Sequence, residues 1–184
     1  MKRIGIRAIA LLLIVHPTFA DEATSTAEDN APLEVLAWNK LPPLPDELGV
    51  AGPFAGVHMG VFANDSGTKV SFDVLIVAGG ANFPEPVWDN DKAWHDTIHV
   101  LVRTKSDDGE KDIFTWKDGG KLPRATGYGA AVSTPDGVLC MGGNHGDVTF
   151  DHVYMLSWNP TTSQVEITDY PRLPQPCAYG AATL

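Results

Sequence analysis

The sequence predicts an all-β fold built from repeated units, and three observations support this. Short apolar runs rich in Val, Ile and aromatic residues are bounded by turn-forming residues, which is typical of β-strands. Two of these runs end in a Gly-Gly pair, at Gly79-Gly80 and Gly142-Gly143. Leu-Pro and Tyr-Gly pairs also recur at a separation of 51 residues, the latter at Tyr128 and Tyr179. A period of about fifty residues with four strands per unit is typical of kelch-type β-propeller blades.

Each unit contains the same elements in the same order. An apolar segment ending in Leu-Pro comes first, a strand of small residues beside an aromatic residue follows, and a strand ending in Gly-Gly comes next. On these features Phe54 of the first unit corresponds to Tyr128 of the second. The third unit begins at Leu173 and Tyr179. The paired glycines are expected to serve the architecture, because tight turns and packed blades leave no room for a Cβ atom.

The length sets an expectation for the propeller. Residues 33–184 supply about two blades plus one strand of an expected six-bladed kelch-type propeller, which would need about 300 residues. Such an open stack leaves an unpaired strand edge, so self-association through that edge is expected. The first blade also has a longer segment around residues 63–69, which is interpreted as a long hairpin turn.

The first twenty residues have the pattern of an export signal. Lys2, Arg3 and Arg7 precede an apolar stretch over residues 8–15, and Ala20 closes a small-x-small cleavage motif. An uncleaved anchor is the alternative interpretation. Residues 1–20 are therefore predicted to be a signal peptide of a periplasmic or secreted protein, followed by a flexible leader over residues 21–32.

The charge of the chain limits the classes of partner that it can bind, and its two cysteines raise the question of a disulfide. The chain has 13 Lys plus Arg against 23 Asp plus Glu, and this acidic balance argues against binding to nucleic acid or to a membrane surface after signal removal. Cys140 and Cys177 would both be in an oxidising compartment. A disulfide between them and two separate thiols remain equally open.

Strand alternation locates a candidate ligand mouth. The loops that follow each Gly-Gly pair, residues 82–95 and 144–150, emerge on the same face as the links that lead into each unit. Asn82 and Asn144 begin these loops and are candidates to bind the substrate. His95 and His145 lie in them but do not recur in register, which makes them candidate catalytic residues, with an ordinary surface-loop histidine as the alternative.

Three segments carry a more specific resemblance. Residues 44–56, 75–83 and 94–98, with the sequences LPDELGVAGPFAG, LIVAGGANF and WHDTI, resemble the kelch-propeller sialic acid mutarotases, also called N-acetylneuraminate epimerases. The closest likeness is to their cyclically permuted branch. The resemblance covers residues 38–184 and implies a sugar mutarotase that uses neither a cofactor nor a metal ion.

The resemblance also implies roles for several residues. Mutarotation needs an acid and a base with pKa values near neutrality, for which His95 and His145 are the candidates. A small-molecule sugar acid carries a carboxylate, and Arg124 on the mouth face is the candidate to bind it, with a rim salt bridge as the alternative. Trp88 is a candidate to stack on the sugar ring; the alternative is that it packs against the propeller rim.

One feature of the resembled family is not matched. Its proposed catalytic Glu and Arg follow the Gly-Gly pair of another blade, and no residues of this sequence correspond to them. A second hypothesis is therefore a kelch propeller that binds protein or glycan without catalysis. The two hypotheses differ in whether the chain accelerates exchange between sugar anomers.

Overall fold

The computed structural model describes residues 40–64 and 66–184, and every regular element in that part of the chain is a β-strand. The predicted signal peptide and leader, residues 1–32, and residues 33–39 lie outside the described residues. The twelve strands are β1 (Phe54–Ala63), β2 (Lys69–Ala78), β3 (Ala81–Asn82), β4 (Ala93–Trp94), β5 (Thr97–Lys105), β6 (Asp112–Lys121), β7 (Ala130–Thr134), β8 (Gly137–Met141), β9 (Asn144–His145), β10 (Val148–Thr149), β11 (Val153–Asn159) and β12 (Gln164–Tyr170).

The strands form two equivalent four-stranded sheets. The first sheet has the order β1-β2-β5-β6 and the second has the order β7-β8-β11-β12, with every neighbouring pair antiparallel. A two-stranded ribbon, β3-β4 or β9-β10, follows the second strand of each sheet. This arrangement confirms the predicted all-β fold as a partial β-propeller. Within the described residues no helix is long and apolar enough to cross a membrane.

The hydrophobic core lies between the two sheets. Phe54, Ile76 and Val100 of the first sheet belong to one fully buried cluster with Val138 and Leu156 of the second. Burying an apolar side chain of this size contributes about 1.5–3 kcal/mol, so this contact stabilises both sheets. Strand alternation explains the cluster, because every second residue of each strand points to the same face.

Backbone hydrogen bonds repeat between the units. The amide of Gly80 donates to the carbonyl of Thr126, and the amide of Gly143 donates to that of Cys177, both at 2.8 Å. A Cβ atom on Gly79, which has a φ of 69°, would overlap the carbonyl of Thr126. Gly142 stands in the same relation to Cys177. The structural reason predicted for the paired glycines is therefore confirmed.

The predicted match between Phe54 and Tyr128 is wrong by two residues. Phe54 pairs with Ala78, whereas Ala130 pairs with the equivalent Met141, so Gly52 is the counterpart of Tyr128. Gly52 and Tyr128 have φ values of 61° and 59°. An added Cβ atom on Gly52 would lie 2.6 Å from the ring of Tyr128, so the first unit has glycine here because the tyrosine of the next unit fills the space. The aromatic side chain of Phe54 misled the sequence comparison.

Two other expectations are also corrected or resolved. The long segment of the first unit is not a long turn, because β1 and β2 extend to ten residues each, against five each for β7 and β8. β1 ends at Ala63 and β2 begins at Lys69. Cys140 is buried, Cys177 is exposed, and both are free thiols, so the disulfide alternative is not present in the structure.

Candidate functional site

The loops after each Gly-Gly pair and the links into each sheet meet on one face, which we call the mouth face. The Nδ2 atom of Asn82 donates a hydrogen bond of 2.9 Å to the carbonyl of Gly49 in the first link. In the second unit, the Nδ1 atom of His145 lies 3.2 Å from the carbonyl of Ala125. These contacts hold the loops against the links, as strand alternation predicts.

Three aromatic rings form a continuous row on the mouth face. The rings of Trp94 and Tyr128 meet edge to face with centroids 5.8 Å apart, and Tyr179 lies 4.9 Å from Tyr128. Trp94, Tyr128 and Tyr179 are called the aromatic row below. Both tyrosines have a left-handed φ of 59°, uncommon for a residue with a side chain, and Gly52 has a similar φ at the equivalent position of the first unit.

A lysine ammonium lies over the aromatic row. The Nζ atom of Lys92 is 4.2 Å from the ring centroid of Tyr128, 4.7 Å from that of Trp94 and 5.7 Å from that of Phe83. It also donates a hydrogen bond of 2.7 Å to the hydroxyl of Tyr128. Rings attract a cation over their faces, so this arrangement fixes a positive charge beside the aromatic surface.

The sequence did not predict a role for Lys92, because in the loop of residues 82–92 only Asn82 and the aromatic Trp88 were candidates. Lys92 directly precedes β4, and Ala93 of β4 pairs with Asn82, so Lys92 lies beside the end of β3. A cleft of about 360 Å³ opens here. Its lining includes Asn82, Phe83, Lys92 and Tyr128.

His145 joins the same row from the other unit. Its imidazole stacks on the indole of Trp94, with centroids 5.3 Å apart and an angle of 13° between the planes. The carbonyl of Ala125 beside Nδ1 only accepts hydrogen bonds, so a neutral His145 carries its proton on Nδ1 when this bond forms. Nε2 is then the unprotonated nitrogen, and the exposed side chain presents a base at the mouth face.

His95 is partly buried and Asn144 is buried. His95 has the position that Phe150 occupies in the second unit, since their amides donate to the equivalent carbonyls of Gly80 and Gly143. The Nε2 atom of His95 and the Oδ1 atom of Asn144 are buried and have no hydrogen-bond partner in the described part of the chain. Buried polar atoms normally have a partner, so both remain candidates for contact with a ligand or a water molecule.

Arg124 lies in a separate cavity of about 320 Å³. Its guanidinium stacks over the ring of Phe150 at 4.9 Å, and His152 and Arg172 also line the cavity. Arg172 is paired with Asp151 at 2.8 Å, whereas Arg124 has no ion-pair partner among residues 40–64 and 66–184. The alternative of a rim salt bridge at Arg124 is therefore wrong. Burial and the nearby arginines lower the pKa of His152.

Trp88 makes little contact with the rest of the protein. Its side chain is 92% exposed, so the interpretation in which it packs against the rim is wrong. No group of three His, Cys, Asp or Glu side chains within the described ranges could hold a metal ion. The structure thus places Asn82 with Lys92 in one cleft and stacks His145 on Trp94 of the aromatic row, whereas Arg124 lines another cavity and Trp88 is exposed.

Comparison with known proteins identifies relatives of the chain. It is 33% identical over 138 residues to an N-acetylneuraminate epimerase of Vibrio cholerae, a match that covers 70% of this chain and 32% of the relative. It is 37% identical over 148 residues to an N-acetylneuraminate epimerase of Brucella suis, with the same coverage. A third, from Yersinia pestis, is 29% identical over 151 residues and covers 72% of this chain and 32% of the relative.

The chain spans about a third of the length of these curated relatives, 32% in each case. No family model matches it. The relatives share one name and match about 70% of the chain, and the sequence had suggested the same family from its motifs. The chain is therefore related to the N-acetylneuraminate epimerases, the sialic acid mutarotases.

Proposed function

We propose that this chain takes part in a sugar mutarotase that interconverts the anomers of N-acetylneuraminate or a related acidic sugar. The observation that carries the proposal is His145, whose exposed imidazole stacks on Trp94, the same indole whose ring centroid lies 4.7 Å from the ammonium of Lys92. The relatives, which are named N-acetylneuraminate epimerases, support the substrate class.

The residues of the mouth face suit the chemistry of ring opening. A mutarotase removes the proton from the anomeric hydroxyl and delivers a proton to the ring oxygen, and then reverses both steps on the other face of the carbonyl. We assign the base to Nε2 of His145, because Nδ1 is engaged with the carbonyl of Ala125. Trp94 fixes the plane of the imidazole, and the exposed ring of Tyr179 offers an apolar surface for a sugar to stack on.

The direct test is NMR exchange between the anomers of N-acetylneuraminate with the whole 184-residue chain. We expect the wild type to accelerate exchange and His145→Ala to lower the rate about 100-fold or more, since a positioned base contributes about 10²–10⁴-fold. His99→Gln removes a histidine near Trp116 and serves as the matched control.

Two results would contradict the proposal. If the folded wild type binds the sugar without accelerating exchange, the chain is a non-catalytic binding module instead. If His145→Ala and His99→Gln exchange the anomers as fast as the wild type, the base lies elsewhere.

A further inference from the structure

Aromatic rings surround the ammonium of Lys92, but no carboxylate in the described part of the chain pairs with it. No described carboxylate lies within 4.0 Å of it, and its hydrogen-bond acceptor is the neutral hydroxyl of Tyr128. An ammonium has three N–H donors, so two remain without a described protein acceptor. Aromatic rings hold the cation in place, but they do not neutralise it.

The acidic side chain that is hydrogen-bonded to Asn82 does not fill this role. Asp46 approaches the cleft, where its Oδ1 atom accepts a hydrogen bond from the backbone amide of Leu48 at 3.0 Å and a longer one from Asn82 at 3.4 Å. These bonds hold the carboxylate in its own turn. The cleft therefore retains a positive charge that a ligand can reach.

Tyr128 adds a second donor beside the ammonium. Its hydroxyl oxygen accepts the hydrogen bond from Lys92, so its own hydrogen remains available for donation. An ammonium and a hydroxyl that share a 2.7 Å contact can reach the two oxygens of one carboxylate. The aromatic row next to them provides a surface for the rest of a sugar ring.

We propose that Lys92 and Tyr128 form the carboxylate subsite of the mouth face, so that the cleft selects acidic sugars over uncharged ones. This inference rests on the sugar-binding function proposed above. It assigns to Lys92 the contact that sequence reasoning gave to Arg124, which lies in the other cavity.

The test compares the affinities of the whole chain for N-acetylneuraminate and for its uncharged methyl ester by calorimetry. We expect the wild type to favour the acid by about tenfold or more, the effect of one charge-assisted hydrogen bond. Lys92→Met should bring the two affinities close together without weakening the ester, and Lys92→Arg should keep much of the preference. Lys111→Met, on an exposed turn, is the matched control, and thermal unfolding verifies that each variant is folded.

Tyr128→Phe keeps the ring under the ammonium and removes only the hydroxyl. It should lower the preference for the acid partially, by less than Lys92→Met does. Arg124→Met tests the rival assignment.

Three results would overturn the inference: a wild type without preference for the acid, a Lys92→Met variant that keeps the preference, or an Arg124→Met variant that loses it. Anomer exchange separates this inference from the proposed function. A preference for the acid that depends on Lys92, without accelerated exchange, supports the subsite and contradicts the mutarotase. Accelerated anomer exchange, together with a preference for the acid that Lys92→Met leaves intact, supports the mutarotase and contradicts the subsite.

Discussion

At the scale of the residue, His58 shows how a buried polar group joins the two sheets. Its Nδ1 atom accepts a hydrogen bond of 2.9 Å from the backbone amide of Trp158, so the imidazole must be unprotonated at that nitrogen. Burial lowers the pKa of His58 from 6.5, and the nearby Asp136 opposes this only in part. The contact between the sheets therefore depends on a neutral histidine.

We expect the stability of the protein to fall as the pH falls through the range in which His58 titrates. The pKa of His58 is lower in the folded state than in the unfolded state, where it is 6.5. The stabilising contribution of His58 is therefore complete above pH 6.5 and is lost as the pH falls below that value. His58→Asn offers an uncharged acceptor for the same amide.

Chemical unfolding at about pH 7.5 and about pH 5.5 checks this. The loss in free energy of unfolding between the two pH values should be smaller in His58→Asn than in the wild type. His152→Asn serves for comparison, because the pKa of His152 is also lowered and its titration contributes separately to the loss of stability at low pH. An unchanged loss in His58→Asn would show that His58 does not titrate in this way.

At the scale of the element, the link into each sheet is fixed by the same backbone bonds. The amide of Leu122 donates to the carbonyl of Asp96 at 2.7 Å, and the amide of Leu173 donates to that of Asp151 at 2.8 Å. The two leucines differ in their surroundings, because Leu122 is 3% exposed within the core between the sheets and Leu173 is only partly buried.

This pair of equivalent leucines gives a comparison between two versions of one element. Leu122→Ala should lower the free energy of unfolding by about 2–5 kcal/mol, since it removes buried methyl groups from a packed core. Leu173→Ala should lower it by about 1 kcal/mol or less, because less surface returns to water. Denaturant titration measures both. Equal losses would mean that the repeated hydrogen bonds, and not the burial between the sheets, determine the contribution of the link.

The repeated elements could be predicted because they leave a recurring pattern in the sequence. The apolar runs reflect strand alternation, and the Gly-Gly pairs recur because each unit meets the same crowded contact with the next one. The register at Phe54 could not be predicted in this way. Gly52 has no side chain because Tyr128 of the next unit fills its space, and that contact exists only in the folded protein.

The candidate site was predictable to a similar degree. Asn82 and His145 could be placed on the mouth face from the sequence because loops with a known direction carry them there. Lys92 was missed, since an isolated lysine in a loop is usually solvated, and only the folded chain surrounds it with Phe83, Trp94 and Tyr128. Arg124 belongs to a link of the mouth face, but its guanidinium stacks on Phe150 in a different cavity from that of Lys92.

At the scale of the whole molecule, the two sheets cooperate to build the mouth face. The ribbon β3-β4 of the first sheet supplies Trp94, the ribbon β9-β10 of the second supplies His145, and Tyr128 comes from the link between the sheets. Packing between the sheets therefore positions side chains that are distant in the sequence. In our account this face binds the sugar.

The most direct test of the account is an NMR titration of the ¹⁵N-labelled chain with N-acetylneuraminate, followed through the tryptophan indole signals. The indole signal that disappears in Trp94→Phe identifies Trp94. We predict that this signal shifts in a saturable way, whereas that of Trp158, which is buried in the core, stays unchanged. No shift at Trp94 at saturating sugar, or a shift confined to other indoles, would contradict the account.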